Sequence, residues 1–331
     1  MPRICTARAY AVAMRLPNTL PPTYPAQMSV RHQALCALLR GLRDLDYRFV
    51  AVTPATHARV LARPAPSPVG LRDIFGWSRP FAEPNLPFDI VTLMRQADVI
   101  EETADGLVST VRVASLGEDL FCHSRYPTDA QDAVFFGPDT YRFADFVGRH
   151  LPLVDARAIL DYGAGSGAGG IAAARVVPGA ALTLLDINPL ALDLARVNLE
   201  VAGLDADVVE DLKDVDAPDV VIANPPYIMD DSGRAYRDGG NLLGGQVPLE
   251  WAERALATLQ PGGTLLLYTG AAYSGGQSPL LAALATLCAD QSASLVVEEI
   301  DPDVFGEEID KPAYAEVERI AAVGVVITKP R

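Results

Sequence analysis

At 331 residues the chain exceeds what one ordinary hydrophobic core supports, so two domains are expected. Half of its residues are hydrophobic and they spread along the whole length, which excludes a disordered polymer, and no apolar run reaches the roughly 18–20 residues of a membrane span. The net charge of −15 is uneven: residues 1–128 hold 14 Lys and Arg against 11 Asp and Glu, whereas 129–331 hold 13 against 31. An acidic body of that kind repels phosphate backbones, which argues against nucleic acid lying across the second domain.

Residues 1–27 carry Arg3, Arg8 and Arg15, no acidic residue, and the prolines 17, 21, 22 and 25. Arginines interrupt every apolar stretch, so no secretory core exists. A poorly structured extension is expected there, with Met28 opening the folded part. The cysteines (Cys5, Cys36, Cys122, Cys288) and histidines (His32, His57, His123, His150) are scattered, and Cys122-His123 is their one adjacency. That pattern lacks the spacing of a tetrahedral site, so no metal is expected, and the thiols read as reduced in a cytoplasmic protein.

From Val30 to about Phe49, Leu35, Leu38, Leu39, Leu42 and Leu45 recur at helical spacing. Thr53 caps a second expected helix with Pro54 in its first position. Short helices follow near 70–76 and 87–97, then three strand-like runs: Val99–Glu102, Leu107–Ala114 and Leu120–Ser124. Residues 28–128 are thus expected to form an α+β, winged-helix-like accessory domain. It could dock nucleic acid or substrate; the plainer expectation, a cap on the catalytic domain, is favoured.

From about residue 156 the rhythm becomes strand, turn, helix. Strands are expected at Ala156–Asp161, Ala181–Ile187, Asp207–Glu210, Asp219–Ala223, Thr264–Tyr268, 294–300 and 318–328. Helices are expected at Ala168–Val177, Pro189–Ala202, 248–259 and near 278–289. Residues 129–331 therefore predict a Rossmann-like, doubly wound, mostly parallel seven-stranded sheet. No helix separates the last two strands, so they should form an antiparallel edge, with the last strand antiparallel. Ligands of open α/β sheets sit beyond the carboxyl ends of the strands, here 161–167, 186, 211 and 224–227.

Asp161-Tyr162-Gly163-Ala164-Gly165-Ser166-Gly167 closes the first of these strands and opens a helix. Alternate glycines let the backbone turn sharply against a ligand. The G-x-G-x-G spacing differs from the G-x-G-x-x-G of dinucleotide binders, which disfavours a dehydrogenase. Asp186 ends the second strand, where a carboxylate can accept both ribose hydroxyls of a nucleoside cofactor. Asn224-Pro225-Pro226-Tyr227 stands at the fourth strand's tip. An amide or aryl amine nitrogen is a poor nucleophile because its lone pair is delocalised. The Asn224 side-chain oxygen and the Pro225 carbonyl, aimed at its two hydrogens, would favour charge on nitrogen as it attacks. Pro225 and Pro226 stiffen the backbone that aims them, and Tyr227 offers a flat face for a planar substrate.

With these motifs in this order, residues 130–331 resemble the class I methyltransferases that use S-adenosylmethionine (SAM) on planar nitrogens. That group includes the release-factor glutamine, ribosomal RNA guanine and DNA adenine methyltransferases. The resemblance implies SAM as cofactor, with Asp161, Gly163, Gly165 and Gly167 in its loop, Asp186 on the ribose and Asp211 on the adenine amino group. It also implies Asn224, Pro225, Pro226 and Tyr227 as the catalytic motif, with Asn224 beside the cofactor. Phe136–Tyr141 occupies the place of a proline-rich cofactor-contacting segment in the release-factor enzymes. Gln246 after Leu243-Gly244-Gly245, and a first domain that is not all-helical, depart from their pattern. Met229–Gly240, with Arg234, Tyr236, Arg237 and Asp238, reads as a substrate lid or a solvated loop. Asp301–Glu308 reads as the border of the substrate mouth or as another loop. The leading expectation is an N-methyltransferase acting on a protein side-chain amide or a small planar amine. An RNA or DNA base methyltransferase and a non-catalytic SAM-binding regulator stand as alternatives.

Overall fold

A computed structural model of the chain describes residues 29–229 and 237–331. The expected extension 1–27, and Arg234 and Tyr236 of the expected lid, lie outside the described residues. Helix α1 (Val30–Asp44) is capped by Ser29, whose hydroxyl accepts from the His32 N–H at 3.1 Å; Leu35, Leu38, Leu39 and Leu42 of the expected stripe are buried, and Leu45, just past the helix end, is exposed. Helix α2 (Pro54–Leu61) has Thr53 as its cap and Pro54 first, as expected. Helices α3 (Leu71–Phe75) and α4 (Phe88–Gln96) follow.

The hairpins differ from expectation. Strands β1 (Ile100–Thr103) and β2 (Gly106–Ser109) form one, and β3 (Val111–Leu116) and β4 (Asp119–Ser124) another. The single strand expected over Leu107–Ala114 is broken at Thr110. There the Ser109 hydroxyl donates to the Val111 carbonyl at 2.7 Å and accepts its N–H at 3.3 Å, while the Thr110 N–H donates to Val99. Local side-chain bonds to backbone compete with the ladder, and two separate two-stranded sheets result.

The rest alternates around one sheet. In chain order come α5 (Pro138–His150), β5 (Ala158–Tyr162), α6 (Ala168–Val176), β6 (Ala181–Leu185), α7 (Pro189–Ala202), β7 (Asp207–Val209) and β8 (Val220–Ala223). Then follow α8 (Gln246–Thr258), β9 (Thr264–Tyr273), α9 (Pro279–Asp290), β10 (Ser294–Asp301), the short α10 (Gly306–Ile309) and β11 (Arg319–Thr328). The seven strands lie in the order β10-β11-β9-β8-β5-β6-β7. From β9 to β7 the pairs are parallel, and β11 runs antiparallel to both β9 and β10. The four-residue α10 is too short for the crossover a parallel return needs. The last two strands form an antiparallel edge, as expected, with β10 outermost and β11 between it and β9. Strand order reverses between β5 and β8, so the crevice that takes a ligand opens at their carboxyl ends.

The two parts share packing. Leu35, Leu38 and Met94 lie in one apolar cluster with Leu194 and Val197 of α7. Asn198 of α7, 1% exposed, accepts from the Cys122 N–H at 2.8 Å and donates to the Cys122 and Ser166 carbonyls at 3.1 and 2.9 Å. One amide thereby ties β4 to the glycine loop.

Candidate active site

The glycine loop leaves β5 with Gly163, Gly165 and Gly167 at φ of +76°, +54° and +77°, the left-handed region that favours glycine. Each has its own reason. A Cβ on Gly163 would stand 2.1 Å from Trp251 of α8, whose indole stacks on Tyr162 at 4.4 Å. One on Gly167 would press on Leu184 and Ala195 at 3.2 and 3.3 Å. One on Gly165 would project into open space, the room a ligand's chain needs. The Gly163 and Ala164 N–H groups both donate to the Leu185 carbonyl, at 2.8 and 2.9 Å, which fastens the loop to β6.

Asp186 follows that strand. Its Oδ2 accepts from the Gly165 N–H at 2.8 Å and its Oδ1 from Asn188 at 2.9 Å. Burial pushes its carboxyl up, against these N–H groups, which favour the anion. Each oxygen can accept a second bond, so the pair suits a ribose diol. Beside it Ile187 is 82% exposed, an apolar platform for the face of a base. Sequence reasoning missed Ile187; its one signal was an apolar residue immediately beyond a strand-end acid.

Asp161 is 2% exposed, and its Oδ2 accepts from the Gly170 N–H at 2.7 Å inside the first turns of α6. Burial pushes its carboxyl up to about 7. The bond to Gly170 ties the end of β5 to the start of α6, across the loop. Asp211 is exposed: its Oδ1 accepts from the Lys213 N–H at 3.0 Å and its Oδ2 pairs with the ammonium at 2.8 Å, which holds it below the usual range. That carboxylate is turned to its own loop.

A cavity of about 440 Å³ opens at the β8 tip. Asn224, Pro225, Pro226 and Tyr227 line one wall; Thr53, Pro54 and residues 126–129 line the cavity too, and Asp303, Val304 and Phe305 border it. The expected mouth at Asp301–Glu308 thus adjoins the motif. Tyr126 is stacked on His57 at 4.0 Å. The flat face expected of Tyr227 is largely covered: the residue is 7% exposed, a Cβ on Gly270 would meet its ring at 2.2 Å, and Phe305 meets it edge-on at 5.9 Å. Tyr227 is a wall more than a platform, because β9 presents a glycine where its ring must pack.

Sequence reasoning placed Phe136–Tyr141 where the release-factor enzymes carry a cofactor-contacting segment. Asp139 of that segment is 4% exposed, in the first turn of α5, and lines the cavity. Its Oδ1 accepts from the Tyr268 hydroxyl at 2.7 Å and faces Arg142 Nη1 at 3.4 Å. Burial pushes its carboxyl up, opposed by Tyr268, Tyr227 and Arg142. No spacing rule links 139 to 268. Of the expected lid, Arg237 lines the cavity and pairs with the buried Glu308. Away from the site, His32, Cys36 and Glu200 converge between α1 and α7, a cluster their separation in sequence concealed. The Glu200 carboxylate is taken by His32 and Arg40, each at 2.9 Å, and burial pushes the Cys36 thiol up to about 12, which keeps it neutral.

Comparison with known proteins agrees with this layout. The family model described as methyltransferase small domain matches residues 142–273. The chain is 31% identical over 198 residues to the release factor glutamine methyltransferase of Deinococcus radiodurans, covering 56% of this chain and 67% of that one. It is 30% identical over 168 residues to the protein of the same name from Rhodopirellula baltica, covering 45% and 54%. It is 29% identical over 109 residues to the ribosomal RNA small subunit methyltransferase C of Ectopseudomonas mendocina, covering 28% and 33%. The chain thus spans about two thirds, a half and a third of these relatives. Among the described residues no helix is long and apolar enough to cross a membrane. The cofactor is SAM, and the chain belongs to the SAM-dependent methyltransferases.

Proposed function

We propose that the enzyme methylates the planar nitrogen of a protein side-chain amide or a small amine, in the cytoplasm. The observation that carries this reading is that Asn224, Pro225 and Tyr227 line a cavity beside the glycine loop, at the switch point of the sheet. SAM supplies an electrophilic methyl group when bound. Asp186 would hold its ribose, Ile187 its base and the Gly163–Gly167 backbone its methionine side; Asp161 would set that loop. Asp211 would reach the adenine only by leaving Lys213. Asn224 and the Pro225 carbonyl would accept from the two N–H groups of the acceptor, most strongly as charge develops on nitrogen.

Residues 28–128 are proposed as an accessory domain and 129–331 as the catalytic one, with the accessory domain walling the acceptor cavity. A cavity closed by two domains fits a projecting side chain or a small molecule, and an acidic catalytic domain fits a partner other than nucleic acid. The similarity to a ribosomal RNA methyltransferase supports a second reading, a base of RNA as acceptor. Labelled SAM incubated with separated protein, RNA and metabolite fractions decides between them. Label in protein or metabolites supports the first reading, label confined to RNA the second, and label nowhere a SAM-binding regulator.

A further inference from the structure

Methylation of an amide or aryl amine leaves a surplus proton on nitrogen, and the carbonyl oxygens of Asn224 and Pro225 are too weakly basic to keep it. Among the described residues lining the cavity the carboxylates are Asp129, Asp139 and Asp303. Asp129 and Asp303 are exposed, whereas Asp139 is 4% exposed. The groups facing Asp139 come from several elements. Tyr268 of β9 donates to Oδ1 at 2.7 Å, and Arg142 of α5 stands 3.4 Å from the same oxygen. Asp301 of β10 takes the other side of that guanidinium at 2.7 Å, so its charge is shared between two carboxylates. Tyr227, from the motif itself, faces Asp139 with a buried hydroxyl that has no well-formed hydrogen bond among the described residues. The bonds from Tyr268 and Arg142 both enter through Oδ1, and Oδ2 receives neither. A carboxylate kept this deep, with only part of a guanidinium to balance it, costs stability that packing does not explain.

We infer that Asp139 is the proton acceptor of the methyl-transfer step, a catalytic residue additional to the 224–227 motif; this rests on the nitrogen-acceptor reading above. In that step the nitrogen lone pair forms the new N–C bond while the C–S bond breaks and its electrons pass to sulfur. The N–H proton passes to Asp139, nitrogen ends neutral and methylated, and Asp139 returns the proton to water on product release. Burial holds this carboxyl above the ordinary range, which brings its basicity nearer to that of an effective general base.

The test compares wild type, Asp139→Asn and Tyr268→Phe at saturating SAM and acceptor, across the pH range in which all stay folded. SAM affinity is measured alongside. For Asp139→Asn the expected result is a fall in kcat of about a hundred- to ten-thousand-fold, loss of the acid limb of the pH profile and unchanged SAM affinity. Tyr268→Phe removes a bond that lowers the carboxyl, so the acid limb should move to higher pH. If Asp139→Asn does not fold, the Tyr268→Phe limb decides alone: a shift supports the inference and an unmoved limb overturns it. A folded Asp139→Asn with wild-type kcat and limb overturns it, as does a loss confined to SAM affinity, which would make Asp139 a cofactor ligand. If the wild type methylates no nitrogen acceptor, the function reading falls and takes the inference with it. A failure of Asp139→Asn alone leaves that reading standing.

Discussion

Between Asp161 and Ile187 the proposed cofactor side of the site is made from one continuous stretch, whereas the cavity before Asn224 gathers residues from Thr53 to Phe305. The first works through backbone: turns at positive φ, N–H groups on Leu185 and Asp186, and one apolar side chain left in the open. The second works through side chains from distant segments, held together in part by the packing of α1, α4 and β4 against α7. The contrast teaches where variation is tolerated. A loop shaped within one stretch of chain draws on few distant segments, while a cavity assembled from many changes shape with any of them.

The largest expected effect breaks the acceptor side alone. Asn224→Ala should lower the methyl-transfer rate by about a hundred- to a thousand-fold, the usual effect of losing one preorganised hydrogen-bonding group, while SAM affinity stays near normal. Single-turnover rates and a SAM titration measure the two separately. A wild-type rate would remove Asn224 from the nitrogen clamp.

That asymmetry also governs what the sequence reveals. The strand–turn–helix rhythm, the glycine loop, Asp186 and the Asn224–Tyr227 motif are local patterns, and they could be read from residues 156–328 without coordinates. The bond of Asp139 with Tyr268, and the lining of one cavity by Thr53, Tyr126 and Pro226, join segments with no shared period. The break at Thr110 was hidden because Ser109 is an ordinary strand residue until its hydroxyl turns back on Val111. Tyr227 misled for a related reason: the glycine that buries its ring lies on another strand. Helix α5 carried a signal, Pro138 ahead of Phe143, Phe146 and Val147, that went unused.

The next effect belongs to the cofactor side and is read in stability. Burial raises Asp161 from about 4 in the unfolded chain to about 7 in the fold. Between those values the native state binds a proton that the unfolded state has released, so stability should fall as pH rises through that window and level off above it. Asp161→Asn still offers an oxygen to the Gly170 N–H but cannot ionise. Denaturant midpoints of wild type and Asp161→Asn across that window should therefore converge at low pH and separate as pH rises. Parallel curves would mean that Asp161 is ionised in the fold.

Asp186→Ala should weaken SAM binding by about 1.5–3 kcal/mol for each charge-assisted bond lost, while kcat at saturating SAM changes little. Calorimetric titration with SAM, beside NAD as a control, reads this directly. NAD binding as tight as SAM binding would contradict the cofactor assignment. A fall in kcat as large as that of Asn224→Ala would erase the separation between the two sides.

Gly165→Ala gives the smallest expected change and the cleanest division between fold and ligand. Its φ of +54° strains any L side chain by roughly 1–2 kcal/mol, but an added Cβ meets nothing within 4 Å. Apart from that strain the fold has no reason to object. The methyl group would instead stand in the space through which the methionine side of the cofactor is proposed to pass. Melting temperature should therefore fall modestly, and SAM affinity should fall by more than the strain accounts for. Gly163→Ala supplies the contrast, because its Cβ would run into Trp251 at 2.1 Å and the loop itself must move. Equal losses of stability in the two variants would show that the room beside Gly165 closes in solution. An unchanged SAM affinity in Gly165→Ala would place the methionine chain elsewhere and leave Asp186 and Ile187 as the cofactor's remaining anchors.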